Sequence, residues 1–257
     1  MHTEFKSPLR TVSILTSLLL VISFAVPSRA QASTPTEAVR QFYKALSEKR
    51  FRDALMATAL KPATEGLSAS EFEELRPDFE RMATDADKVQ LTGEQISGDR
   101  ASVFVKLVSD APSDPPIEVQ LRRSSGNWVV IFNDEVEKAA RRDGKNYFFK
   151  LRIEAHEQDA QSMLVNIAQK QLIYSVQHNG TYADLQTLVS EKLLPEDILT
   201  SQATGYNFHI TLSADKKSYT AGAEPTVYGR TGTQSFYMDA SGLKKADTGG
   251  KPYVPKK

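Results

Sequence analysis

The chain contains no cysteine. That excludes disulfides, thiolate metal sites and cysteine nucleophiles, and also a lipoprotein anchor, which needs a cysteine at its cleavage point. Histidine, the commonest general base near neutral pH, is scarce: His2, His156, His178 and His209 are the only four. Formal net charge is zero, so no positive surplus draws the chain to nucleic acid, and no nucleic-acid partner is expected. The basic pairs Arg122-Arg123, Arg141-Arg142 and Lys244-Lys245 are short enough to be solvated faces. No apolar run reaches the ~20 residues that span a bilayer. A metal-binding helix pair, a glycine-rich phosphate loop and a serine elbow are all missing.

What is present begins with a targeting pattern. Lys6 and Arg10 flank a largely apolar stretch, residues 11–26; Pro27 breaks it, and Ala30-Gln31-Ala32 fits the small-x-small cleavage rule. Residues 1–32 therefore read as a signal peptide cut after Ala32 or Ala30, and the mature chain is expected in the periplasm or outside the cell. The alternative is an uncleaved inner-membrane anchor through residues 11–26, the one case in which the chain would contact membrane.

Residues 33–134 open with helical patterns. Thr34, Pro35 and Glu37 predict a capping box, and Ala38, Val39, Phe42 and Leu46 share the face that follows. A second helix is expected over residues 52–60, ending before Lys61-Pro62. Ser68 and Glu71 form another capping box ahead of Phe72, Leu75, Phe79 and Met82, with a break at Pro77. From Lys88 the period becomes two. Val103, Val105 and Leu107 alternate, as do Ile117, Val119 and Leu121, and residues 128–132 are apolar throughout. Ser97-Gly98-Asp99, Asp114-Pro115-Pro116 and Ser124-Ser125-Gly126-Asn127 supply the turns. The expected class is α+β, cone-like helices closing a curved antiparallel sheet.

Pro35, the run Phe42-Tyr43-Lys44-Ala45-Leu46 and the closing Gly126-Asn127-Trp128-Val129-Val130 carry a resemblance. This half resembles the cone-shaped nuclear transport factor two-like superfamily, and more narrowly its lumazine-binding-like envelope proteins of unknown function. The resemblance implies a cone that can close around an apolar cavity, with Phe42, Leu75, Phe79, Val103, Val105 and Trp128 as walls for a small apolar ligand. The same six residues could simply fill the core, which is the commoner case. Catalytic members place a His or Asp pair inside the cone; here no His is available, and Asp53 and Asp134 are loose candidates.

Residues 135–155 are highly charged and read as a linker or helix start. Ala160, Met163, Leu164, Ile167 and Ala168 then follow helical spacing, Leu172 and Val176 extend the stripe, and Asn179-Gly180 ends it. A short helical piece over residues 182–194 leads to strands at 206–212, 218–221 and 234–238, and a turn at 239–242. Residues 156–247 are thus expected to place one long helix on a small antiparallel sheet. The tail, 248–257, with its glycines, prolines and lysines, is expected to be disordered.

Residues 168–174, 179–185, Leu188 and 206–242 together make this half resemble the globular head of a type IV pilin or pseudopilin. The long apolar start of a pilin helix is missing. Arg152, Glu154, His156, Glu157 and Asp159 stand in its place and do not suit lipid. The resemblance therefore implies a pilin-like head without its hydrophobic stalk.

Little chemistry is on offer. His156 and Asp159 should lie on a solvated helix face, His178 at a helix C-terminus where the dipole favours a cation, and His209 on the outer face of the sheet. Asp239 and Asp247 are too few for a calcium loop. No catalytic residue, metal or cofactor is expected. The leading expectation is a non-enzymatic exported envelope protein that binds another envelope protein, in a pilus- or secretion-type assembly. The alternative is a small-molecule binder using the cone.

Overall fold

The computed structural model describes residues 34–83, 88–107, 115–201 and 204–255. The expected signal peptide, the alternative anchor and Asp114 of one expected turn lie outside the described residues. Among the described residues, no helix is long and apolar enough to cross a membrane. The fold is α+β, with two four-stranded antiparallel sheets, each in sequential strand order.

Helix α1 (Pro35–Ser47) starts on a Thr34 cap, whose hydroxyl accepts from the Glu37 N–H at 3.1 Å. The other half of the expected box does not form, because the Glu37 carboxylate turns to Arg40 and Gln41. Helix α2 (Phe51–Met56) is shorter than expected, and Lys61-Pro62, expected to follow a helix, instead forms the first turn of α3 (Lys61–Glu65). Proline suits a first helical turn, which has no use for its missing N–H. Ser68 and Glu71 complete their capping box at the start of α4 (Ala69–Glu74), and the break ahead of α5 (Arg76–Glu80) falls at Leu75, beside Pro77.

Strands β1 (Val89–Ser97), β2 (Arg100–Leu107), β3 (Ile117–Ser124) and β4 (Asn127–Val130) form a meander. Ser125 and Gly126 both take positive φ, the geometry a tight hairpin turn requires. Ala101, Val103, Val105, Leu121, Trp128 and Val130 face α1, which lays Ala38 and Val39 on them. On its other side, α1 sends Ala45 and Leu46 into a helical cluster with Phe51, Leu55, Leu75 and Phe79. That cluster also takes in Ala140 of α6 (Asp134–Asp143) and Tyr147, Phe148 and Phe149 of α7 (Tyr147–Gln177). The charged stretch after residue 134 is therefore helical and packed. The buried carboxylate of Glu137 accepts from Arg141 at 2.7 Å and Arg122 at 3.2 Å.

Helix α7 buries Ala160, Leu164, Ile167, Gln171 and Ser175. Leu172 and Val176, expected on that stripe, are 63% and 79% exposed. Each is one residue, about 100°, further round the helix than the buried position beside it. Gln171 tolerates burial because it serves both backbone groups of Ala183, donating at 2.5 Å and accepting at 3.0 Å. Past the helix end, the Gly180 N–H returns to Ser175 O at 2.7 Å, with Asn179 and Gly180 at positive φ.

Helix α8 (Leu185–Ser190) follows, then β5 (Tyr206–Leu212), β6 (Tyr219–Pro225), β7 (Ser235–Asp239) and β8 (Gly242–Ala246). Leu164, Ile167, Leu188, Ile198, Tyr206 and Phe236 centre the second core. The tail departs from expectation as far as Pro255. The Thr248 hydroxyl donates to Ser235 Oγ at 2.9 Å, and Tyr253 packs edge-on to Tyr237 with ring centroids 6.3 Å apart. Two aromatic and hydroxyl pairs outweigh a composition that reads as disordered.

Candidate functional site

The six wall residues are not brought around one cavity. Leu75 and Phe79 belong to the helical cluster, Val103, Val105 and Trp128 to the sheet cluster, and Phe42 packs against both. All but Phe42 are buried. The cause is α1: its small Ala38 and Val39 let the helix settle directly onto the sheet, so the five buried positions are filled core.

Open surface lies instead along the two flanks of α1. One groove, of about 460 Å³, runs between Tyr43, Lys44 and Ser47 of α1 and Val89 and Leu91 of β1. The other, of about 410 Å³, runs between Phe42 and Tyr43 and residues Val119, Val130 and Phe132. Tyr43 lines both, and burial pushes its phenol pKa up, which keeps the hydroxyl a donor. The register places Leu91 opposite Val105 and Val105 opposite Ile117. Ile117 is 49% exposed, so the inner face continues past the part that α1 covers. The first groove also meets Arg40 and Glu48, and the second Glu118, Gln120 and Asn133, so each joins apolar side chains to polar ones. Sequence reasoning missed Tyr43, Val89, Leu91 and Val119 as lining. The alternation Val89-Gln90-Leu91 was the available signal.

The titratable groups are dispersed. Asp53 accepts from Arg50 at 2.8 Å, and Asp134 is exposed in the first turn of α6. His178 stacks on Tyr174 at 3.8 Å and lies 2.9 Å from its carbonyl, as a cap should. His209 lies on the outer face of the second sheet, over Gly222, where a Cβ would collide with the imidazole. Its Nδ1 is 3.2 Å from Glu224 Oε2, yet off the line of a hydrogen bond, and that oxygen is buried without one. Asp239 accepts from the Ser241 N–H, and Asp247 from Tyr228 and the Gly249 N–H. Among the described residues, no three His, Asp or Glu side chains gather as a metal site needs.

His156 departs from expectation. It is half-buried, with Nδ1 3.2 Å from Thr231 O, and burial lowers its pKa. It belongs to a joint between α7 and both cores. Arg152, with a side chain 8% exposed, donates to Asp78 at 2.7 Å and to Glu74 at 3.3 Å. Glu157 accepts from the Thr233 N–H, the Thr233 hydroxyl and the Gln234 N–H at 2.8–3.1 Å. Arg230 lies 4.1 Å over the Phe149 ring. A Cβ at Gly205 would strike His156, so this packing demands glycine there.

No protein-family model and no curated protein matches the chain. Among solved structures, it is similar to a Campylobacter jejuni protein called an NTF2-like transpeptidase, with 15% identity, 39% of this chain and 100% of that chain covered, and a TM-score of 0.28. A likeness at that score supports no statement about fold or activity.

Proposed function

We propose that this chain is an exported, non-enzymatic interaction module of the cell envelope, and that it docks an apolar helix of an envelope protein in a pilus- or secretion-type assembly. The observation that supports this reading is the outer face of α7. Leu151, Val165, Leu172, Ile173 and Val176 are exposed there. Single exposed apolar residues are ordinary, but several on one helix face mark an interaction surface. The seam Leu151, Ala155, Gln158, Ser162, Val165, Gln169, Leu172 and Val176 alternates steps of four and three and carries no charge. That is the spacing by which one helix seats another, along ~38 Å of length. The resemblance to a stalkless pilin head fits a protein that meets such an assembly without entering it.

A photo-crosslinking residue at Val165 or Leu172, in cells producing the full chain, tests the proposal. Both positions should yield the same envelope protein, and an exposed position in α3, Glu65, should not. Adducts equally abundant at Glu65, or none at the two α7 positions, would overturn it.

A second reading has its own support in the grooves beside α1. There a small apolar ligand would lie against Tyr43, beside Val89 and Leu91 in the first groove. Native mass spectrometry of gently purified protein should show added mass that Tyr43→Ala removes. A bare mass, with no thermal shift across a metabolite panel, would sink it.

A further inference from the structure

The two sheets present four edge strands, and three are covered or guarded. β4 is bridged by Thr58, flanked by bonds from the Ala59 N–H to Val130 O (2.8 Å) and from the Val130 N–H to Ala57 O (3.3 Å). β1 carries a register irregularity between Leu91 and Gly93, and its Glu94 holds the start of α1 through Thr36. β8 carries Lys244 and Lys245. Bulges, charges and covering segments all hinder strand addition. β5 carries no lysine and no bulge, and the 3-10 helix that packs against it, Glu196–Leu199, makes no backbone hydrogen bond to it. Its sequence Tyr206-Asn207-Phe208-His209-Ile210-Thr211-Leu212 lacks lysine, proline and acidic residues, and its register with β6 is unbroken.

Two bonds at its ends fix which backbone groups of β5 are in use. The Thr226 N–H donates to Gly205 O, and the Ser213 N–H to Ser218 O, each at 3.0 Å. Both pairs extend the register that sets Tyr206 opposite Pro225. Hydrogen-bonded pairs alternate along an antiparallel ladder. Asn207, His209 and Thr211 therefore bond to β6, while Tyr206, Phe208, Ile210 and Leu212 direct N–H and C=O outward. The Thr204 hydroxyl serves both groups of Tyr206. Among the described residues, nothing bonds the outward groups of Phe208, Ile210 and Leu212. Ile210, on the core side of the sheet, is only half-buried, as is Leu212 at the strand end.

We propose that β5 is a dimer edge, occupied by β5 of a second copy running antiparallel, with Ile210 opposite Ile210 and Phe208 opposite Leu212. This register engages every outward donor and acceptor of the three residues, about six hydrogen bonds in all. It joins the two four-stranded sheets into one. On the core side, Phe208 meets Leu212 and Ile210 meets its counterpart; on the other face, His209 meets Thr211. No like charges oppose each other, since β5 carries no acidic or basic residue beyond His209. A two-fold pairing of one edge with itself closes at two copies, whereas β5 on the lysine-bearing β8 would run on as a fibre. The surface is separate from α7, so it stands or falls apart from the proposed helix docking.

Amide hydrogen exchange and sedimentation, at low and high concentration, test the proposal residue by residue. The chain should sediment as a dimer at high concentration. The Phe208, Ile210 and Leu212 amides should then gain protection of at least about tenfold, while those of Asn207, His209 and Thr211 stay protected throughout. Ile210→Pro deletes an N–H that the single chain does not use, and should give a monomer with an unchanged circular dichroism spectrum. Ile210→Lys should do the same, and the wild-type exchange pattern decides the matter if neither variant folds. A monomer at high concentration overturns the proposal. So does a dimer whose three amides stay unprotected, because its interface lies elsewhere.

Discussion

Gln171 shows how one residue can reverse a reading of a whole helix face. By composition the apolar stripe of α7 should pass through Leu172 and Val176; in the fold it passes through Gln171 and Ser175. A buried amide that completes the backbone of Ala183 is invisible to hydropathy, since its value depends on a partner twelve residues away. Gln171→Leu would leave a buried N–H and C=O unpaired and should cost about 2–4 kcal/mol in urea unfolding. Leu172→Gln should change stability by less than about 0.5 kcal/mol. Similar losses for the two would place Gln171 outside the core. Glu71 offers a second test at this scale. Its hydrogen bonds from Ser68, then Lys145, hold its pKa at about 2. A depressed carboxyl stabilises above its unfolded pKa, and that contribution fades as pH falls from ~4.3 towards 2. Glu71→Gln should flatten this part of the acid profile, and an unchanged profile would remove Glu71 from the account.

Elements were most legible where a local rule decides them. Ser68 and Glu71, the turn at Ser125-Gly126, the alternation of β2 and the close of α7 at Asn179-Gly180 each need only neighbours in sequence. Ser68→Ala should cost about 1 kcal/mol, read from the thermal midpoint, because it removes a cap of this kind. A cost near zero would mean that α4 is held by Phe72 alone. Elements were misread where distant packing intervenes. Pro62 sits in the first turn of α3 because Ala63 and Thr64 are drawn into the core, and the charged α6 is ordered because Ala140 and Glu137 are buried. The candidate cone walls divide between two clusters for the same reason. Whether Val103 faces a cavity or a helix depends on how closely α1 approaches, and the spacing of Val103, Val105 and Leu107 is the same in either case.

Across the whole molecule, the joint around Arg152, His156 and Glu157 ties α7 to α4, α5 and the segment between β6 and β7. Burial lowers the His156 pKa. The unfolded chain therefore takes up a proton that the folded one resists, so stability should decline as pH falls below ~6.5. His156→Gln should flatten that decline in urea midpoints measured from pH 7.5 to 5.5. An equal slope in both proteins would mean that other groups set it.

The continuity of α7 has a consequence for proteolysis. From Asp134 to Gln177 the chain is helical apart from one 3-10 turn, Gly144–Asn146, and both cores draw side chains from that stretch. A cut before Tyr147 strips three aromatic rings from the first core, and a cut after Phe149 separates Arg152 from what precedes it. Limited digestion should therefore nick surface turns and trim the termini, but it should not release either half as a stable fragment.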